Sequence, residues 1–184
     1  MPFDIITINP VTTAAAYAAD DVAFDLTKVD LPSRACKLIK VEMEVSGGTE
    51  ANDCKIGILF FRKNTNVFGT ANGAVSISAS EFTANEYIGQ TFVGFNDNLN
   101  SSDGAGSETL LPNVIDNVAF YYACQWSTDT SATGQDGESK SLFEPMVLEG
   151  TAGNTEVYAA GLIHDGTPTF GGTDKVKIHF HVEY

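Results

Sequence analysis

The chain has 184 residues, 10 of them Lys or Arg and 24 Asp or Glu, for a formal net charge of −14. A chain this long buries roughly two thirds of the surface its unfolded form exposes, so a single core needs no metal or disulfide to hold it. The charge repels a phosphate backbone and an anionic membrane alike, which sets aside nucleic acid and membrane as partners and favours basic or neutral protein surfaces.

The apolar residues alternate in the manner of strands, and no stretch repeats like an amphipathic helix. Residues 5–9, between Pro2 and Pro10, read as a short extended segment, and proline at both ends suits an edge strand or an arm that leaves the body of the domain. Residues 1–11 are therefore expected to form an extended N-terminal arm and residues 12–184 a single sandwich domain. Residues 22–26 are a short strand candidate. In 36–45, a stronger one, Ile39, Val41, Met43 and Val45 are expected to share one face and Lys40, Glu42 and Glu44 the other.

Gly47-Gly48 and Asn52-Asp53 read as turn residues, and 54–61 follows as a nearly continuous apolar run, expected to be central and covered on both faces. Residues 64–73 read as a polar loop and 74–80 as a short alternating stretch with Val75 and Ile77 on one side. A single helical turn is expected from Ser80, acting as its cap, to Glu86.

Residues 87–95 read as a strand interrupted by Gly89 and Gly94, and 96–112 as a loop rich in Asn, Ser, Asp and Gly. A long strand is expected over 114–126, a second polar loop over 127–141, and a strand over 142–148. Residues 157–163 are apolar on both faces, and 175–184 alternate almost without error. About eight or nine strands with long connections predict an all-β, two-sheet β-sandwich, jelly-roll-like, with long polar loops.

Cys36, Cys54 and Cys124 fall in strand patterns, away from the CxxC spacing of metal and redox sites, and read as buried small hydrophobes. A disulfide between two of them stays open on spacing alone. Residues 1–10 lack a Lys or Arg and an apolar run of signal-peptide length, and no stretch approaches the ~20 apolar residues of a membrane span. The expectation is a soluble product made in the cytoplasm.

Motifs for chemistry are sparse. His179 and His181 stand two apart on one strand face, and His164 would complete a zinc-like set, but Lys175 and Lys177 share that face and oppose a cation. Asn96, Asp97, Asn98, Ser102 and Asp103 have the oxygen-rich composition of a calcium loop without its closing Glu, and Asp129, Asp136 and Glu138 have the same weakness. A GxSxG elbow, an HExxH pair and a phosphate loop ahead of a helix are all missing. Glu42, Glu44 and Glu183 point outward rather than toward each other as a glycosidase pair would. The expectation is no enzyme, no cofactor and no metal.

Phe60, Phe61, Phe120, Tyr121, Tyr122 and Trp126 would serve either as core filling or as a sugar-stacking platform. The platform would suit a head-fibre or tail-associated sandwich that binds host surface glycans.

Thr12-Thr13, the run Tyr17-Ala18-Ala19-Asp20-Asp21-Val22, the strand Ile56-Gly57-Ile58-Leu59-Phe60-Phe61, Asn72-Gly73-Ala74, Ser80-Glu81, Tyr87-Ile88-Gly89, Val157-Tyr158-Ala159-Ala160-Gly161 and Thr167-Pro168-Thr169-Phe170 occur in that order. The series resembles the small all-β structural proteins encoded among the head genes of tailed bacteriophages, which include capsid decoration, or cement, proteins. In that family a Gly often stands where Asp20 does here, and the loops at 96–112 and 127–141 are longer than usual.

The resemblance implies a virion protein without an active site, sitting on the outer capsid surface, its partners the major capsid protein and itself, as a homotrimer. It would bridge neighbouring capsid subunits and stabilise the head. The residues expected to form the capsid or oligomer interface are those of the N-terminal arm, Phe3, Asp4, Ile5, Ile6 and Ile8. Its backbone would add to a neighbour's sheet, with Phe3, Ile5 and Ile6 as anchors.

Overall fold

A computed structural model describes residues 1–46, 55–94, 118–123 and 146–184. Nine strands and one short helix occur among them: β1 Phe3–Ile8, β2 Val22–Asp30, β3 Ala35–Ser46, β4 Lys55–Phe61, α1 Ala79–Ala84, β5 Tyr87–Gly94, β6 Val118–Ala123, β7 Val147–Glu149, β8 Glu156–Asp165 and β9 Val176–Glu183. One sheet runs β1-β9-β3-β6, with β7 also on β3; the other runs β2-β8-β4-β5. Every pairing is antiparallel. Pairs nest, first strand with last and second with second-last, which is the order of a jelly roll. The termini meet as a result, Tyr184 N–H donating to Pro2 C=O at 3.2 Å.

Alternation explains the inner faces. Along β9, Val176, Ile178, Phe180 and Val182 are buried while the residues between them reach the surface. They meet Ile56, Ile58 and Phe60 of β4, and the Phe60 and Phe180 rings touch edge to face, 5.4 Å between centroids.

The pattern in β3 departs from the expected one. Cys36 and Leu38 are buried as well as Val41, Met43 and Val45, and these sets have opposite parity. A shift in register between Leu38 and Lys40 reconciles them, leaving Ile39 at the bulge, 39% exposed, instead of inside.

As expected, β4 lies between β8 and β5 with both faces covered. Leu59 and Phe61, on its outer face, form a second apolar cluster with Val22, Phe68 and Ala160, against which Leu26, Ile77, Phe82 and Leu162 pack. The covering comes from residues 62–86, read as a polar loop, a short alternating stretch and a helical turn. Residues 74–80 form no strand; isolated bridges join Ala74 to Asp21 and Val75 to Gly69.

Two polar anchors, half-buried Asp25 and buried Asn85, hold this roof. Asp25 Oδ1 accepts from Phe68 N–H at 2.7 Å, and Asn85 accepts from Thr65 Oγ1 (2.8 Å) and Asn66 N–H (3.1 Å) while donating to Asn66 C=O (2.7 Å). The helix cap is Ser78, two residues before the expected one. Ser78 Oγ accepts from Glu81 N–H, and the Glu81 carboxylate accepts from Ser78 N–H at 2.9 Å, a capping box from the Ser-x-x-Glu spacing. The hydrogen bond from the Ser78 hydroxyl, and after it the one from its N–H, holds the Glu81 carboxyl below its ordinary range.

The residues near the start have structural work. Tyr17, 1% exposed, lies against Phe170 (4.9 Å) and donates its N–H to Pro168 C=O at 2.9 Å, while Thr12 Oγ1 donates to Gly172 C=O at 2.7 Å. Asp20 takes φ 70°, the left-handed conformation that favours glycine. Residues 12–21 are thereby stitched to the connection between β8 and β9.

Candidate docking edge and the polar outer face

The Tyr184-to-Pro2 bond fixes the parity of β1. Residues 2 and 184 face each other as a hydrogen-bonded pair, so by alternation residues 4, 6 and 8 bond to β9 while the N–H and C=O groups of Phe3, Ile5 and Thr7 point away from it. β9 is the one strand that β1 pairs with among the described residues, and no described strand pairs with its opposite edge. Phe3 is 54% and Ile5 48% exposed.

The five residues expected at an interface thus divide. Phe3 and Ile5 lie on the outer face at the sheet margin. Ile8 is buried and Ile6 packs against the main core, so neither is a surface anchor. Asp4 is exposed, and its Oδ1 accepts the outward N–H of Ile5 at 2.8 Å. The segment read as an edge strand or an arm that leaves the body is an edge strand paired with β9.

Beside this edge the outer face carries a ladder of charges. Ile5 stands opposite His181 and His181 opposite Lys40; Thr7 stands opposite His179 and His179 opposite Glu42. His181 Nε2 lies 2.9 Å from Glu42 Oε2, His179 Nδ1 is 2.9 Å from Thr7 Oγ1, and Glu44 takes Lys177 at 3.3 Å and His179 at 3.7 Å. Lys40 also pairs with Glu42. Partial burial works to raise the Glu42 carboxyl, but the hydrogen bonds from Lys40 and His181 outweigh it and hold the group below its ordinary range. The Phe3 ring rests 5.7 Å from that of His181.

The zinc-like set does not assemble, because His164 is on β8 in the other sheet, against Phe92 at 5.4 Å. No cluster of three or more His, Cys, Asp or Glu suited to a metal occurs among the described residues. Phe60 and Phe61 are fully buried, which rules them out of a sugar platform. Trp126, Cys54, Cys124, the calcium-like acids and the 96–112 and 127–141 loops lie outside the described residues, as do the Gly47-Gly48 and Asn52-Asp53 turns and residues 142–145.

Cys36 is a free, buried thiol; burial pushes its pKa up. A shallow open depression of about 580 Å³ is lined by Arg34, Arg62, Lys63, Glu86 and Glu149. Its cations are engaged: Arg34 and Arg62 both bind the Glu149 carboxylate, at 3.0 and 3.2 Å, and Lys63 pairs with Glu86. Arg62 follows β4 and Glu149 ends β7, so this is a clamp between the two sheets.

Which β1 residues point outward is not written in the sequence; the Tyr184-to-Pro2 bond fixes it. The Asp4-to-Ile5 contact has no sequence signature. What the fold and this surface define is a jelly-roll sandwich with the β1 edge unpaired among the described residues and a polar, ion-paired outer face. No protein-family model matches the chain, and no curated protein matches it.

Proposed function

We propose that this chain is a structural virion protein of the capsid-decoration type. It binds the outer capsid lattice of a tailed bacteriophage through the β1 edge, bridges neighbouring major capsid subunits as a homotrimer, and performs no catalysis. The observation that carries the reading is the open edge of β1, with Phe3 and Ile5 exposed beside three outward backbone positions. Such an edge is a template for strand addition, which supplies affinity through the main chain and selectivity through alternate side chains. The family resemblance and the acidic balance support the same reading.

A single contact of this kind is modest, but contacts repeated around a shell act together, because each one after the first is effectively intramolecular. The test is co-sedimentation with expanded empty capsids built from the major capsid protein encoded alongside this chain, with the capsids' melting temperature as a second readout. Binding in numbers that match the shell's subunits, with a raised melting temperature, is expected. Phe3→Ser with Ile5→Ser should abolish both while leaving the sandwich folded, since neither side chain is in the core. Undiminished binding by that variant would sink the β1 assignment, and failure of the wild-type chain to bind would sink the function.

A further inference from the structure

Asp4 turns the open edge into a selective one, and we propose that its occupant is an extended segment of a partner protein carrying a Lys or Arg opposite Asp4. This rests on the docking reading above and names the chemistry of the partner. In an acceptor edge every outward N–H must be available to the incoming strand's carbonyls. Here the middle one, that of Ile5, is already taken by the Asp4 carboxylate at 2.8 Å. A strand that adds to β1 must draw the carboxylate away before it can bond to Ile5.

A cationic side chain on the incoming strand does this directly, since a cross-strand ion pair replaces the local bond and leaves the N–H free. An acidic side chain there would leave the carboxylate in place and add like-charge repulsion. The same contact argues against a second copy of this chain as the occupant. Each copy carries a net charge of −14, and its own β1 has one acid and no base to offer. Guarding an edge with a charge is a known defence against self-pairing, and in this geometry the defence also discriminates between partners.

The probe is an eight-residue extended peptide of alternating Val and Thr with one Lys placed to face Asp4, compared with a counterpart bearing Glu at that place. Binding to the full chain is followed by fluorescence anisotropy and by amide exchange at Ile5. The wild-type chain is expected to bind the Lys peptide roughly fivefold more tightly than the Glu peptide, from an attractive cross-strand pair set against a repulsive one. Asp4→Asn should bind both peptides equally. Ile5→Pro, which removes the outward N–H without touching a bond to β9, should bind neither.

Equal affinity of the wild-type chain for the two peptides, or a Lys preference that survives in Asp4→Asn, would overturn the proposal. So would wild-type self-association that Ile5→Pro abolishes, because the occupant would then be a second copy. Peptide binding reads the edge alone and capsid co-sedimentation reads the function, so the two proposals fail separately.

Discussion

Adding one methyl group at Gly161 tests the packing between β2 and β8. A Cβ built there would lie 2.3 Å from Phe24 Cε1, 2.5 Å from Cδ1 and 2.9 Å from Cζ, where carbon atoms normally sit at about 3.5–4.0 Å. The ring would have to withdraw by more than 1 Å, yet Phe24 is 1% exposed and belongs to the main core. Overpacking of this kind costs about 1–3 kcal/mol, and the loss of glycine's freedom in the unfolded chain returns about 0.4–1 kcal/mol. The contact is shorter than any small adjustment removes, so Gly161→Ala should destabilise by about 2 kcal/mol. For a chain of this length that lowers Tm by about 4–8 °C. Urea unfolding should show a reduced midpoint with an unchanged slope. Phe24→Leu shortens the side chain at the point of collision, so the double variant should be more stable than the sum of the single effects predicts, by about 1 kcal/mol. Additive effects, or a Gly161→Ala protein as stable as the parent, would show that the ring does not sit over this glycine.

Asn85→Ala should cost about 2–3 kcal/mol, because it strips hydrogen bonds from Thr65 and Asn66 beneath the roof, and exchange of the 62–86 amides should accelerate in parallel. The Glu42 carboxyl is held below its ordinary range, so its contribution to stability is present at neutral pH and is lost as pH falls through the folded-state value. Glu42→Gln should flatten that part of a urea-midpoint profile between pH 7 and 3; an unchanged profile would remove the ion-pair ladder as a source of stability. Cys36 should resist alkylation in the native protein and react once urea unfolds it, read by peptide mass mapping. Asp20→Gly should leave stability unchanged or raise it by up to about 1 kcal/mol, since it relieves a left-handed φ at the cost of some chain entropy; a larger loss by thermal melting would mean that the Asp20 side chain contributes more than its backbone costs.

Period-two alternation located the strands well, because burial on one face writes itself into every second residue. β9 reads from the sequence almost as it folds. It failed at β3, where the two halves of the segment 36–45 alternate in opposite phase and a bulge, which no single residue announces, brings both inward. The roof over β4 was illegible for another reason. Phe68, Ile77 and Phe82 follow no sustained strand or helix period, and they become apolar contacts when the chain folds back over Phe61. The cap at Ser78 was present in its Ser-x-x-Glu spacing. In the candidate edge, composition marked the segment, but which of its residues face outward followed from one backbone bond between Tyr184 and Pro2.

The treatment of the other exposed surfaces sharpens the meaning of that edge. On the four-stranded sheet the apolar outer face is roofed by residues 62–86, and the start of β2 is tied along its margin, Val22 N–H donating to Gly73 C=O and Asn72 N–H to Val22 C=O, each at 2.8 Å. On the other sheet the outer face is filled with ion pairs, and the ends of the sheets are clamped through Glu149. Each device removes a place where another chain could add. Among the described residues β1 has no cover of that kind; its outward pairs are flanked by exposed Phe3 and Ile5, and a single carboxylate stands over the middle one. A fold that needed only to avoid association would put a charge or a proline at residue 3 or 5, where apolar side chains instead face solvent at the cost of their hydration. The economical account of two exposed apolar residues beside one removable guard is an edge kept closed to most strands and open to one kind.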